Sequence, residues 1–150
     1  MNRTAFILGV TAIFGISQSG PVAAAPPASA PAPIGPYSPA VGAGDLVFLS
    51  GQVARDPATG KLDPSLPVEA QTAMVWANIR RVLDQQGLDF EDLVQAQVYL
   101  IDMNDFARMN IAYAAALGGS RPARTTVAVS ALPLGARIEI AVIASRKKQR

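Results

Sequence analysis

Two charged residues, Arg124 and Glu139, lie in segments that otherwise have the composition of apolar β-strands. The stretch RPARTTVAVSALPLGARIEI predicts a hairpin, with one strand over residues 125–130, a Leu-Pro-Leu-Gly turn and a second strand over residues 137–144. Charges within strands are costly unless they are paired or used. The two residues are therefore the first candidates for a site, and an ion pair across neighbouring strands is the structural alternative.

The absence of two residue types limits the chemistry that such a site can perform. The chain has no cysteine and no histidine, which excludes disulfides, thiolate nucleophiles, histidine bases and metal sites built from these ligands. A Ser-His-Asp triad is excluded for the same reason. Any reaction has to rely on Arg, Glu, Asp, Tyr, Ser, Thr and Asn side chains, on backbone groups and on water.

The length and composition indicate one globular domain. The chain has 150 residues, half of them apolar, and a formal charge of +2, so it is long enough to bury a core. Four basic residues cluster at the C-terminus: Arg146, Lys147, Lys148 and Arg150. Because no aromatic residues alternate with them, a solvated tail is expected over residues 147–150, with no nucleic-acid partner.

The N-terminal region has the features of a targeting segment. Residues 1–25 resemble a secretory signal peptide, with Arg3 before an apolar run and small residues at 22–25. A retained membrane anchor or an upstream false start codon are the alternatives. Residues 26–33, PPASAPAP, predict an extended Pro/Ala tether. A periplasmic or secreted protein without stable membrane insertion after processing is expected, and a cytoplasmic one is the alternative.

The folded domain is expected over residues 34–146, with the element order β-β-α-β-α-β-β. The central predictions are a strand buried on both faces, a helix, an alternating strand and a second helix, at residues 46–52, 68–86, 93–100 and 103–117. Two helices can cover only one face of the sheet, which gives an α+β fold. The other face is expected to pack against further subunits, with a polar site where they meet.

Five segments in this order resemble the Rid (reactive intermediate deaminase) family, also called YjgF/YER057c/UK114. They are IGPYSPAV, LVFLSGQV followed by DPATGKL, VEAQTAMVWANI, VYLIDMNDFARMN, and RPARTTV with LPLGARIEI. The resemblance implies a chorismate-mutase-like fold and a homotrimer whose three sheets form a barrel, with ligand clefts between subunits. It also implies hydrolysis of enamines and imines such as 2-aminoacrylate to 2-oxo acids and ammonia, without a metal or cofactor.

The resemblance also assigns site residues. Its arginine and glutamate fall on Arg124 and Glu139, and its other cleft positions fall on Tyr37, Ser50, Gly51, Asn110 and Thr126. Arg124 would hold the substrate carboxylate through a bidentate fork, and Glu139 would orient a water molecule or accept its proton. A non-catalytic trimer that binds a small carboxylate in the same cleft is the alternative function.

Most of these residues also have a structural interpretation. Tyr37 could be a packed aromatic residue, and Thr126 could be present for its β-propensity. Ser50 could satisfy backbone groups at a strand end, and Asn110 could cap a helix or bridge to a loop. Arg137 is expected to be solvated. The fold and the relative placement of these side chains therefore decide between the two interpretations.

Overall fold

The elements follow the predicted order. The computed structural model describes residues 33–147; the predicted signal peptide, the tether up to residue 32 and residues 148–150 lie outside this range. The strands are β1 (Ala40–Ala43), β2 (Leu46–Gln52), β3 (Leu93–Leu100), β4 (Ala123–Ala128) and β5 (Ile138–Ser145), and the helices are α1 (Val68–Gln85) and α2 (Phe106–Leu117). Short 3₁₀ turns lie at Phe90–Asp92, Met103–Asp105 and Pro133–Gly135. The α+β prediction is confirmed.

The strands form one mixed sheet in the order β1-β2-β5-β3-β4. Only β3 and β4 are parallel, and the other neighbours are antiparallel. The predicted hairpin between the last two strands is therefore wrong, because β5 enters between β2 and β3 and leaves β4 at the sheet edge. A parallel pair needs a crossover, and α2 supplies it between β3 and β4. The other side of β3 pairs with β5.

Both helices bury the apolar stripes that helical spacing predicts. On α1, Val75, Ile79, Val82 and Leu83 are buried, and on α2, Met109, Tyr113 and Leu117 are buried. Helix α1 is followed two residues later by Gly87, whose φ of 68° lies in the left-handed region that glycine adopts without penalty and that terminates helices. Within residues 33–147, neither helix is long and apolar enough to cross a membrane.

The two faces of the sheet differ as the alternation of β3 and β5 predicts. The side chains buried toward the helices are those of Ala96, Val98, Leu100, Ile138, Ile140 and Val142. Within residues 33–147, no helix or loop covers the other face. Strand β2 departs from its prediction, since only Val47 and Leu49 are buried while Phe48 is 42% exposed on this open face. A continuous apolar run is thus compatible with a strand that buries one face within its own chain.

Polar contacts of Arg137 join both helices to the start of β5. Asp105 is only 5% exposed and accepts hydrogen bonds from Arg137 Nη2 at 2.6 Å and Nε at 3.1 Å. The backbone N–H of Arg137 also donates to Gln71 on α1, at 2.9 Å. The expectation of a solvated Arg137 is therefore wrong, because a buried acid requires a partner. These contacts fix Arg137, which directly precedes β5 and lies two residues before Glu139.

Candidate functional site

Arg124 lies on the edge strand β4 and faces α2. In the parallel register it stands beside Ala96, which is completely buried on the helix side. Its Nη1 donates to Asn110 Oδ1 at 2.8 Å, and its guanidinium carbon lies 4.7 Å from the centre of the Tyr113 ring and 5.7 Å from that of Phe106. The three α2 residues are spaced by four and three positions, so they share one helix face.

The environment of Arg124 leaves its charge uncompensated by acids. Within residues 33–147, no carboxylate forms an ion pair with this guanidinium. A cavity of about 360 Å³ opens beside it, lined also by Asn110, Tyr113, Ser120 and Arg121. Burial raises the pKa of Tyr113, and the positive charge of Arg124 opposes that rise. The phenol therefore stays neutral, and the arginine is oriented without being neutralised, which suits a carboxylate ligand.

Four other predicted residues line a second cavity, of about 290 Å³, on the opposite side of the sheet. They are Tyr37, Ser50, Gly51 and Glu139. The hydroxyl of Ser50 donates to the carbonyl oxygen of Ser38 at 2.7 Å, which fastens the segment before β1 to β2. Tyr37 is 45% exposed at the cavity wall. Its hydroxyl accepts a long hydrogen bond of 3.4 Å from the backbone N–H of Ile34.

A β-bulge gives this cavity its floor. Leu49 pairs with Val142 and Gln52 with Ile140, so Ser50 and Gly51 together oppose a single residue of β5. A Cβ on Gly51 would lie 1.9 Å from Glu139 Oε1. Only glycine lets the carboxyl group lie against the β2 backbone in this way.

Glu139 is a half-buried carboxyl group without a partner in the described chain. It accepts no hydrogen bond and forms no ion pair within residues 33–147. Burial raises its pKa above the ordinary value of 4.5. A carboxyl group that shifts toward neutral pH is suited to receive or return a proton. The position and the ionisation of Glu139 thus both fit a general acid or base.

Arg124 and Glu139 do not meet within one chain. Strand β3 separates them, and their register partners on it are Ala96 and Tyr99. From strand spacings of about 4.8 Å and about 3.3 Å per residue, their Cα atoms are about 14 Å apart. Ala96 faces the helices and Tyr99 faces the open side, so the two charges project from opposite faces of the sheet. The alternative of an ion pair across neighbouring strands does not describe this arrangement.

The structure thus divides the predicted residues into two groups. Arg124 and Asn110 form one, and Tyr37, Ser50, Gly51 and Glu139 form the other. Thr126 shares the helix-facing side with Arg124 but lines neither cavity; its hydroxyl is buried and has no hydrogen-bond partner in the described part of the chain. No cluster of three or more acidic side chains that could hold a metal ion occurs within residues 33–147.

Sequence reasoning missed three residues that lie near Arg124 or Glu139. Phe106 and Tyr113 support the guanidinium of Arg124, and their spacing around Asn110 was a usable helical signal. Arg55 lines the cavity of Glu139. It belongs to a loop whose sequence gives no period, so no comparable signal existed for it.

The comparisons with known proteins agree with this fold. The family model described as Endoribonuclease L-PSP matches residues 27–146. Together with relatives and a solved structure that carry the Rid name, this match shows that the chain belongs to the Rid family. The resemblance read from the sequence is confirmed.

Individual relatives cover nearly the whole described domain. The chain is 45% identical to a RutC family protein of Pyrococcus horikoshii over 119 residues, which are 79% of this chain and 94% of the relative. It is 44% identical over 115 residues to a mouse protein named 2-iminobutanoate/2-iminopropanoate deaminase, covering 77% of this chain and 84% of that protein.

Solved structures give the same result. RidA from an Antarctic Psychrobacter superposes with a TM-score of 0.73 at 39% identity, covering 78% of this chain and 94% of that one. Escherichia coli TdcF with bound serine superposes with a TM-score of 0.73 at 34% identity, covering 79% and 94%.

Proposed function

We propose that the protein hydrolyses 2-imino acids and their enamine tautomers in clefts between the subunits of a homotrimer. Water adds to the imine carbon, the carbon–nitrogen bond breaks, and the products are a 2-oxo acid and ammonia. Relatives of similar length carry the name of an imine deaminase. The observation that carries the proposal is an oriented arginine that no acid of residues 33–147 neutralises. The same sheet holds a half-buried glutamate whose pKa is raised by burial.

The carboxylate of the imine is the natural ligand of Arg124. Asn110 and Tyr113 hold the guanidinium before a ligand arrives, so little side-chain freedom is lost on binding. The planar fork of arginine can donate two parallel hydrogen bonds to a carboxylate. This contact fixes the imine carbon relative to the protein, which is the main requirement for a substrate that is already labile toward water.

The Glu139 that acts on the water must therefore belong to a neighbouring chain. A 2-imino acid of a few heavy atoms cannot bridge about 14 Å and reach through the sheet. If a neighbouring copy places its edge strand β4 beside the second cavity, its Arg124 comes close to Glu139 of the first copy. Such a head-to-tail contact can close into a ring, and three copies are what the family resemblance implies. The uncovered sheet face, with Val41, Phe48 and Val127 exposed, supplies an apolar surface for the contact.

The decisive experiment measures imine clearance. An amino-acid oxidase generates 2-iminopropanoate in the presence of semicarbazide, and the protein competes with the trapping reaction. We expect the wild type to suppress the trapped product and Arg124→Ala to abolish the effect. Arg124→Lys should lose at least about tenfold in rate, because a point charge cannot replace the fork. Lys61→Ala, which removes an exposed cation outside both cavities, is the matched control.

A non-catalytic binding function is the second candidate. The bound serine in TdcF shows that a protein of this fold holds a small amino acid. If this protein only binds, calorimetry would detect saturable binding of 2-oxo acids that Arg124→Ala removes, while the trapping assay would show no difference between the wild type and this variant.

We also propose that the protein is exported. The proposal rests on the charge and apolar pattern of residues 1–25 alone. N-terminal sequencing of the native protein, together with the cell fraction that contains it, is the test. A full-length product in the cytoplasm would contradict export.

A further inference from the structure

The cavity beside Arg124 contains a second arginine that the proposed reaction does not yet use. Arg121 lines it together with Arg124, Asn110 and Tyr113. It lies between α2 and β4, three residues before Arg124. The Cα atoms of the two arginines are therefore at most about 11 Å apart, a separation that their side chains and a small ligand in the shared cavity can bridge.

The loop fastens Arg121 at one nitrogen and leaves its other donors available. Nη1 donates to the carbonyl oxygens of Gly118 and Ser120, at 2.8 Å and 2.9 Å. The hydroxyl of Ser120 donates in turn to the carbonyl oxygen of Phe90 at 2.5 Å, which ties the loop to the preceding 3₁₀ turn. Within residues 33–147, no acceptor contacts Nε or Nη2 of Arg121. These two nitrogens form the edge of a guanidinium that binds a carboxylate through two parallel hydrogen bonds.

No acid of the described chain neutralises either arginine by direct contact. Within residues 33–147, neither Arg121 nor Arg124 forms an ion pair, and no Asp or Glu lines their cavity. Arg121 also borders a neighbouring groove that Asp89 and Glu91 line, but neither carboxylate forms an ion pair with it. In the proposed cleft, Glu139 of a neighbouring copy acts at the imine carbon, next to the carboxylate that Arg124 holds. A ligand with one carboxylate would thus leave the free edge of Arg121 without an acceptor, whatever the net charge of the cleft.

We propose that Arg121 binds a second carboxylate at the far end of the substrate, so that the preferred substrates are 2-imino dicarboxylates. Arg124 holds the carboxylate next to the imine carbon, and Arg121 holds the one on the side chain. The cavity of about 360 Å³ has room for the additional carbons and the second carboxylate. Water replaces the imine nitrogen, and a 2-oxo dicarboxylate and ammonia are released. The chemistry rests on the proposed function, but the ligand preference can be measured without turnover.

The contacts of Nη1 also give Arg121 a structural role, because they satisfy carbonyl groups where α2 ends. That role predicts a loss of stability when Arg121 is replaced, but not a loss of affinity that depends on which ligand is bound. Ligand selectivity, measured together with the free energy of unfolding of each variant, therefore separates ligand binding from support of the loop.

The binding test compares 2-oxoglutarate with 2-oxopentanoate, which has the same five-carbon chain and a methyl group in place of the second carboxylate. Calorimetry should show tighter binding of 2-oxoglutarate to the wild type. Arg121→Met should lower the ratio of the two affinities by about ten- to hundredfold, the usual effect of losing hydrogen bonds to a charged group. Arg121→Lys should keep part of the ratio. Arg80→Met, which removes an arginine that lines the neighbouring groove but not the Arg124 cavity, should leave it unchanged.

Three results would overturn this assignment of Arg121. They are equal affinities of the wild type for the two acids, an equal loss of both affinities in Arg121→Met, and the same fall of the ratio in Arg80→Met. The first of them needs no variant, so it applies even if Arg121→Met fails to fold.

The trapping assay separates this inference from the reaction. Oxidation of glutamate and of norvaline generates 2-iminoglutarate and 2-iminopentanoate. A higher kcat/KM for 2-iminoglutarate that falls selectively in Arg121→Met supports the inference. Equal kcat/KM values for the two imines would contradict it and leave hydrolysis of simple imines intact. If neither imine is cleared, the proposed hydrolysis is wrong, and the ratio of the binding affinities alone decides on Arg121.

Discussion

At the scale of single residues, Arg124 and Glu139 have opposite environments. Arg124 is exposed, yet Asn110 and Tyr113 hold its guanidinium. Glu139 is half-buried, yet no side chain or backbone donor of the described chain contacts its carboxyl group. A fixed cation favours binding of an anion. An unpartnered, partly desolvated acid keeps its proton to a higher pH than a solvated one, which suits a group that exchanges a proton.

The raised pKa of Glu139 predicts a cost to stability at higher pH. Because burial raises this pKa in the folded chain, the folded state binds the proton more tightly than the unfolded state. The contribution of this group is therefore most favourable below the ordinary value of 4.5 and is lost as the pH rises through the raised pKa. Glu139→Gln should be more stable than the wild type at pH 8, and the difference should shrink toward pH 4.

Urea unfolding, followed by the fluorescence of the single tryptophan, Trp76, measures this difference at a fixed protein concentration. Glu91→Gln removes the charge of an exposed glutamate and serves as the control. The interpretation of Glu139 would be wrong if the two glutamine variants showed the same dependence of stability on pH. Activity of Glu139→Gln should fall in the same preparation, because an amide cannot exchange the proton.

At the scale of elements, the bulge in β2 is the feature that shapes the Glu139 cavity. Gly51→Ala would place a methyl group 1.9 Å from Glu139 Oε1 and 2.8 Å from its Cδ. We expect a loss of about 1–3 kcal/mol in the free energy of unfolding, as for other overpacked sites, together with a loss of imine clearance. Combining it with Glu139→Ser should recover stability, since the shortened side chain no longer meets the new methyl group.

The double-mutant cycle separates this contact from a general effect of alanine in a strand. Gly42→Ala on β1 is the matched control, because a Cβ there meets no atom within 4 Å. Additive effects of Gly51→Ala and Glu139→Ser would contradict the proposed contact, since residues that touch are expected to show coupling.

The sequence predicted the elements better than their pairing. The stripe on α1 and the alternation on β3 follow from local periods, and both were correct. The hairpin of the last two strands was wrong because strand order depends on the crossover through α2, which no local pattern encodes. The prediction that Arg137 is solvated was wrong for a similar reason, because its partner Asp105 is 32 residues away in the chain.

The site was predictable as a set of residues but not as an arrangement. Period two assigns side chains within one strand to two faces. It does not relate the faces of two strands until their register is known, so Arg124 and Glu139 could not be placed on opposite sides from the sequence. Arg55 was absent from the prediction because its place at the cavity depends on how the turn at residues 56–60 folds back onto β2.

At the scale of the whole molecule, the separation of the two half-sites predicts how mixed assemblies behave. Arg124→Ala and Glu139→Gln should each be inactive as pure proteins. If each cleft takes Arg124 from one copy and Glu139 from the next, a co-expressed equal mixture regains activity. In a head-to-tail ring, a cleft is intact when the first copy keeps Arg124 and the second keeps Glu139. With random mixing this holds for about one cleft in four, so about a quarter of wild-type activity should return.

The same experiment also tests the subunit arrangement. A mixture of Arg124→Ala with the double variant Arg124→Ala/Glu139→Gln contains no copy with Arg124 and should stay inactive, which excludes recovery through general stabilisation of the assembly. Mass measurement by light scattering verifies that the mixed species is a trimer. Sites confined to single chains would give no recovery in verified mixed trimers. That result would be difficult to reconcile with a sheet that holds its two charges about 14 Å apart on opposite faces, and it would leave carboxylate binding at Arg124 as the remaining function.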